Sequence, residues 1–158
     1  MMQNPYLDDN KIKLRVTLTC DRKTAWHYIG TPEGYAAWFP ATCTGTIVKG
    51  ETIDCTWWWS GSEVETYHIL DVQDQQYVEI NWEHVAAEAK VRYTLEGNNP
   101  AVFYLEATYA KSEVGREAQL LDIAPWSFAT LNLKSVAAGG VDLRNHRTIE
   151  SDQGAFLD

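Results

Sequence analysis

Alternating apolar and polar residues predict a strand near the start of the chain. Every second position from Ile12 to Leu18 is apolar, and the positions between them carry lysine, arginine or threonine. A period of two with one polar face is typical of a half-buried strand. Asp21 is then a favoured N-cap for a helix over 22–29, and Thr31 followed by Pro32 signals a second helix. We therefore expect one strand followed by two short helices.

The middle of the chain reads as six further strands. Turn signals recur about every ten residues between 41 and 110, which is typical of an antiparallel sheet. The clearest of them is Gly97-Asn98-Asn99-Pro100. The predicted strands cover 42–48, 52–60, 64–72, 77–83, 89–96 and 101–110.

The last third of the chain changes to a helical period between 117 and 138. Pro125 removes one backbone donor within it, so a kink or a break is expected there, and Gly139-Gly140 ends the helix. We expect the broad apolar stripe of this helix to face the sheet. The stripe comprises Leu120, Leu121, Ala124, Phe128, Leu131 and Ser135, with Trp126, Leu133, Val136 and Ala137 beside it.

This order of elements predicts an α+β fold. A curved, seven-stranded antiparallel sheet would wrap around the long C-terminal helix, with two short helices between the first and second strands. The 158 residues suit a single domain over 1–158, with a core at about 12–147 and a flexible tail at 151–158. A cavity between sheet and helix would suit a small hydrophobic molecule.

Composition and charge narrow the classes of partner. The net charge is −9 and no basic cluster is visible, which argues against binding to nucleic acid. No apolar run approaches the roughly 20 residues that span a bilayer, so no membrane span is predicted. The first ten residues lack the features of a secretory signal, and we expect a cytoplasmic protein.

Cysteine and histidine spacing predicts neither a metal site nor a cofactor. The three cysteines contain no CxxC pair, and in a reducing compartment they are best interpreted as small buried hydrophobic residues. Cys43 and Cys55 could lie near each other across a hairpin, where a disulfide is an alternative. The four histidines have no ligand-like spacing.

Aromatic residues are unusually abundant, with seven Trp, eight Tyr and four Phe. Such side chains either fill a core or line a binding cavity, and the sequence leaves both interpretations open. His68 falls on the face predicted to point inward, as a hydrogen-bonded core imidazole or as a general acid/base. The candidate ligand-binding residues are Trp57, Trp59, His68, Tyr93, Phe103, Tyr109, Trp126 and Phe128.

Three strings resemble the START-like (SRPBCC, helix-grip) superfamily, and within it the family of the activator of the heat-shock chaperone ATPase. They are Cys20-Asp21-Arg22-Lys23-Thr24-Ala25-Trp26 with Thr31-Pro32-Glu33 and Trp38; His68-Ile69-Leu70-Asp71-Val72 with Val78-Glu79-Ile80-Asn81-Trp82-Glu83; and 126–135 with 140–146. The resemblance covers residues 12 to about 147. It implies the helix-grip fold more strongly than any one activity, because the superfamily includes lipid carriers, hormone receptors, polyketide cyclases and co-chaperone domains.

Three functional hypotheses follow. The first is a non-enzymatic module that binds a small hydrophobic or aromatic molecule between the sheet and the long helix. The second is a cyclase- or hydrolase-like enzyme that acts on an aromatic, polyketide-like substrate, with His68 as its acid/base group. The third is a stress-related co-chaperone module or a homodimer, which would expose an apolar patch, for example at Trp58 or Trp82.

Overall fold

The computed structural model describes residues 7–8, 10–58, 62–84 and 87–144. Eight strands and three helices follow one another along the described chain. They are β1 (Leu7–Asp8), β2 (Lys11–Thr17), α1 (Arg22–Gly30), α2 (Pro32–Ala36), β3 (Thr42–Gly45), β4 (Thr52–Thr56), β5 (Glu65–Gln73), β6 (Tyr77–His84), β7 (Ala87–Glu96), β8 (Val102–Tyr109) and α3 (Glu113–Ala137). Trp59 and the tail at 151–158 lie outside the described residues.

The strands form one curved antiparallel sheet in the order β1-β2-β8-β7-β6-β5-β4-β3. The seven predicted strands are confirmed, and the two-residue β1 pairs with the start of β2 as an addition. β8 lies beside β2, because the chain returns to the first long strand after a meander through β3 to β7. With α3 packed against β2, β7 and β8, the protein has the predicted α+β helix-grip fold.

Side-chain caps set the beginnings of the three helices. Asp21 Oδ1 accepts a hydrogen bond from the Thr24 amide at 2.7 Å, and Thr31 Oγ1 accepts one from the Gly34 amide at 3.0 Å. Ser112 caps α3 in the same way, so the helix begins at Glu113, four residues before the predicted region. α3 runs through Pro125 as one helix, which excludes a break there, and a kink stays a prediction.

The orientation of α3 differs from the prediction. Leu120, Leu121 and Leu131 are 50%, 60% and 59% exposed, so the stripe expected to face the sheet faces outward. Trp126, Leu133 and Ala137, which were predicted beside this stripe, are buried on the inner face. The same face also carries four buried polar residues, Gln119, Asp122, Thr130 and Asn132. Hydrogen bonds compensate their burial. Gln119 Nε2 donates to the Lys11 carbonyl at 2.8 Å, and Asn132 Nδ2 donates to the Trp38 carbonyl at 2.9 Å.

A β-bulge in β5 reverses the side-chain alternation along that strand. The pairing with β6 shifts register between Ile69 and Asp71. Tyr67 and Ile69 point inward before the shift, and Val72 packs against the core after it. One extra residue therefore separates the two inward-facing sets. The prediction that His68 faces inward is wrong, because alternation extrapolated across this bulge assigns His68 to the opposite face.

Candidate functional site

A cluster of nine aromatic rings occupies the space between the sheet and α3. Neighbouring ring centroids in it lie between 4.8 and 6.4 Å apart. We call this group the aromatic cluster; its members are Tyr35, Trp38, Phe39, Trp57, Tyr67, Trp82, Tyr93, Phe103 and Trp126. Most of the contacts are edge-to-face or tilted, the geometry that ring quadrupoles favour. The rings therefore pack against one another and form a continuous apolar body.

Three rings bring the aromatic cluster to the surface. Phe39, Trp57 and Trp82 are half-buried, whereas the other six members are 2% exposed or less. The Phe39 and Trp57 centroids are 5.0 Å apart, and each lies 5.7 Å from the Trp82 centroid. We call these three rings the aromatic mouth. They come from the loop after α2, the residue after β4, and β6.

A carboxylate lies at the aromatic mouth. Glu65 Oε2 accepts a hydrogen bond from Trp57 Nε1 at 2.7 Å and a short one from the Tyr67 hydroxyl. The Tyr67 ring in turn stacks on Trp82, with centroids 4.9 Å apart. Burial raises the pKa of Tyr67 and the bond to Glu65 raises it further, so the phenol stays protonated and donates. The exposed Glu65 thus provides the mouth with a hydrogen-bond acceptor held in place by two aromatic residues.

Two polar contacts lie deeper in the interior. The Tyr35 and Tyr93 hydroxyls are 2.8 Å apart. The Tyr109 hydroxyl donates to Asp122 Oδ2 at 2.7 Å and accepts from Trp126 Nε1 at 3.3 Å. Burial raises the pKa of Tyr93 and Tyr109, which keeps both phenols neutral. These groups can donate hydrogen bonds at any physiological pH.

The Arg144 guanidinium fixes the loop that carries Phe39. Its nitrogens donate to the carbonyls of Ala36, Ala37, Phe39 and Pro40, at distances of 2.6 to 3.2 Å. The side chain is only 8% exposed, and its guanidinium carbon lies 5.3 Å from the centroid of the Trp58 ring. We call this set of contacts the Arg144 latch. It connects the segment after α3 to the aromatic mouth.

Asp142 completes the Arg144 latch. Its two carboxylate oxygens accept hydrogen bonds from Arg144 Nε and Nη2 at 2.7 to 3.1 Å, and Oδ1 accepts another from Asn132. Burial alone would raise the pKa of Asp142, but the hydrogen bonds from Arg144 and Asn132 outweigh it and lower the pKa to about 2. Asp142 is therefore a carboxylate throughout the neutral range.

Five of the eight predicted site residues meet in this region. Trp57, Tyr93, Phe103 and Trp126 belong to the aromatic cluster, and Tyr109 is hydrogen-bonded to its edge. His68 lies on the outer face of the sheet, where its amide donates to Asn81 Oδ1 at 2.5 Å. Phe128 is half-buried within the outward stripe of α3 and lies outside the core formed by the described residues.

The prediction that a strand extends to residue 60 is wrong, because β4 ends at Thr56. The Trp57 backbone amide instead donates to Ser62 Oγ at 2.9 Å. Trp57 and Trp58 are therefore not presented by a strand, and alternation does not set the directions of their side chains.

Sequence reasoning missed Phe39, Tyr67, Trp82, Glu65 and Asp122 as site residues. The signal for Trp82 was present, since Val78, Ile80 and Trp82 alternate along β6, and Trp82 faces the cluster. Trp82 is therefore not an outer-face patch. The β5 bulge concealed Tyr67 and, with it, the partner of Glu65.

The buried cysteines Cys43 and Cys55 lie opposite each other in the β3–β4 pair. Both are free thiols, and the hydrogen bond between them, followed by burial, raises the pKa of Cys55. Cys55 is therefore a neutral thiol beside the buried Cys43, as expected for small buried residues.

Two open grooves lie away from the aromatic mouth. One, of about 490 Å³, follows the outer sheet face past Leu70, Asn81 and Thr108; the other, of about 440 Å³, lies by Asn10 and Arg116.

Within the described ranges, no group of three or more His, Cys, Asp and Glu side chains could hold a metal ion. Nor does any helix in that part of the chain have the length and hydropathy to cross a membrane.

Solved structures with the same fold come from several bacteria. SSP2350 from Staphylococcus saprophyticus is 16% identical with a TM-score of 0.71, over 89% of this chain and 98% of that one. CalU16 from Micromonospora echinospora is also 16% identical, with a TM-score of 0.65 over 83% and 76% of the two chains.

DynU16, a protein of the dynemicin biosynthetic locus, has a TM-score of 0.73 and 17% identity, over 89% of this chain and 51% of its own. These structures share the arrangement of a sheet around a C-terminal helix. No family model matches the sequence, and no curated protein matches it. The likeness is therefore one of fold.

Proposed function

We propose that the protein binds a small, flat, hydrophobic or aromatic molecule at the aromatic mouth, between the sheet and α3. The observation that carries this proposal is the set of half-buried rings, Phe39, Trp57 and Trp82, held next to Glu65. Half-buried indoles leave apolar surface in water, and covering it gains about 25 cal/mol per Å². Glu65 would orient the ligand by accepting a hydrogen bond from its N–H or O–H group.

The test combines native mass spectrometry with a fluorescence titration. Protein purified from its own host is expected to carry a small molecule that is released on unfolding. The neutral probe N-phenyl-1-naphthylamine should quench tryptophan fluorescence saturably. Trp57→Leu and Phe39→Ala should each weaken its binding about fivefold, since each removes stacking worth roughly 1 kcal/mol.

The matched control is Tyr104→Leu, because Tyr104 lies on the outer sheet face under Arg15. This variant should bind the probe as the wild type does. The proposal fails if no member of a broad set of apolar compounds quenches saturably, or if the three variants lose binding equally.

An enzyme of the cyclase or hydrolase kind is the second candidate, and the Tyr109–Asp122 pair favours it. A neutral phenol bonded to a buried carboxylate beside the cluster could orient a carbonyl or take part in proton transfer. DynU16 belongs to a biosynthetic locus, which supports a small molecule as the partner. Incubating the co-purified compound with fresh protein distinguishes the two functions, because a binding protein returns it unchanged and an enzyme converts it.

Membership of the START-like superfamily, close to the chaperone-ATPase activators, is part of the same proposal and rests on the three sequence strings given above. A co-chaperone role would require a protein partner. The aromatic mouth favours a small molecule instead, because its rings are only partly exposed and lie around one acceptor group.

A further inference from the structure

α3 presents an apolar stripe to solvent along its central turns. At 3.6 residues per turn, its members lie within about 100° of one another around the helix axis. We call it the α3 stripe; it comprises Leu120, Leu121, Ala124, Phe128 and Leu131. Its three leucines are 50–60% exposed. A contiguous apolar patch of this kind on a soluble domain commonly marks an interaction surface.

We propose that the α3 stripe is the interface of a homodimer in which two copies of α3 pack antiparallel. The first argument is the order of side-chain sizes along the stripe. A two-fold axis opposite position 126 places Phe128 of one copy against Ala124 of the other, so a large side chain meets a small one. The same axis places Leu121 against Leu131. Each contact occurs twice, as the symmetry of an isologous interface requires.

The second argument is the charge at the two ends of the α3 stripe. Glu113 and Glu117 lie on the outward face before the leucines, and Lys134 lies on that face after them; all three are exposed. Arg116 lies among these acids, and its Nη1 donates to Gln119 Oε1 at 2.8 Å. With the axis opposite position 126, antiparallel packing places Lys134 of one copy opposite position 118 of the other, next to Glu117. A parallel pair would bring like charges together instead, at an energetic cost.

The interface would be small and reversible. The stripe extends about 16 Å along the helix axis from Leu120 to Leu131. One helix pair of this length buries less than the roughly 800 Å² per partner of a standard interface, so we expect dissociation in the micromolar range. This proposal is independent of ligand binding, because the aromatic mouth lies on the other side of α3.

The first test is sedimentation velocity on the full chain over a range of concentrations. The wild type should shift from monomer to dimer with increasing concentration. Leu121→Glu should weaken dimerisation at least about tenfold, because it places a charge in the apolar contact. Val64→Glu is the matched control, since Val64 is 63% exposed before β5 and should leave the dimer intact.

The second test is a charge exchange. Glu117→Lys and Lys134→Glu should each weaken the dimer, and the double variant should restore it. Within one chain these residues lie about 26 Å apart along the helix, too far to compensate each other directly. A wild type that is monomeric throughout the range, or equal effects of Leu121→Glu and Val64→Glu, would overturn the interface. A double variant no better than either single one would overturn the antiparallel pairing.

Discussion

At the scale of single residues, the Arg144 latch decides the geometry of the aromatic mouth. Four backbone carbonyls between 36 and 40 share the Arg144 guanidinium as a donor, while Asp142 neutralises its charge. A planar fork of donors suits this task, because a lysine ammonium cannot reach as many acceptors in one plane. The position of Phe39 therefore depends on a residue more than 100 positions later in the chain.

Replacing Arg144 should destabilise the fold in a graded way. Arg144→Ala leaves a carboxylate and several carbonyls without their donor, so we expect the free energy of unfolding to fall by about 3 kcal/mol. Arg144→Lys should lose less, since it keeps the charge but not the fork. Urea unfolding followed by circular dichroism measures both. Equal stability of the two variants and the wild type would show that the latch contributes nothing.

Asp142 should make the protein sensitive to acid. Its pKa is lowered to about 2 in the folded state, so its contribution to stability is complete above its unfolded pKa near 4. That contribution is lost as pH falls from about 4 to about 2. Asp142→Asn should therefore be less stable at neutral pH, and its stability should change less across this window.

Thermal unfolding at a series of pH values measures the acid response, with Glu63→Gln as the control at an exposed acid. An Asp142→Asn variant whose acid response is superimposable on that of the wild type would contradict the assignment.

At the scale of elements, α1 and α2 pack so closely that one position between them requires glycine. A methyl group at Gly34 would overlap the carbonyl oxygen of His27 in α1. Gly34 also donates its amide to the capping hydroxyl of Thr31. This close contact positions Tyr35, which follows directly and donates to or accepts from Tyr93 in the cluster.

Gly34→Ala should therefore lower the free energy of unfolding by about 2 kcal/mol through overpacking. It should also alter the near-ultraviolet circular dichroism, because Tyr35 moves with α2. Gly50→Ala is the comparison: Gly50 has no neighbour within 4 Å but a φ of +87°, so it should cost only about 1 kcal/mol of backbone strain. A Gly34→Ala variant as stable as the wild type would contradict the close packing.

The strands and helices also show which features of the fold could be predicted from the sequence. Alternation and turn residues were sufficient to locate the seven strands β2 to β8 along the chain, because most of these strands have one solvent-exposed face. They did not predict which side chains of β5 point inward, because the bulge between Ile69 and Asp71 displaces the alternation by one residue. Hydrophobicity also selected the wrong face of α3. Asn132 and Asp122 can face inward because each has a hydrogen-bond partner outside α3.

At the scale of the whole molecule, the candidate site is assembled from distant parts of the chain. Tyr35 and Phe39 come from the α2 region, Tyr67 and Trp82 from neighbouring strands, and Trp126 from α3. The sequence predicted the inward residues of β7 and β8, whose alternation is regular. It could not predict the aromatic mouth, because loops place Phe39 and Trp57 and no periodicity governs loops.

The aromatic mouth and the α3 stripe are two separate apolar surfaces of the molecule. The aromatic mouth lies where the sheet meets the inner side of α3, and the α3 stripe lies on the outer side of the same helix. A ligand and a second copy of the chain would therefore not compete for the same residues. In the proposed dimer, the opposite charges at the two ends of the α3 stripe would offset part of the repulsion expected from a net charge of −9.

The Arg144 latch has a kinetic consequence. A ligand thin enough to lie against the rings without moving them would bind and dissociate rapidly at the proposed site. A thicker ligand would have to displace Phe39, and that displacement would strain the hydrogen bonds from Arg144 to the backbone carbonyls around Phe39. Such ligands should associate and dissociate slowly, so their residence time would depend on the thickness of the ligand as well as on its affinity.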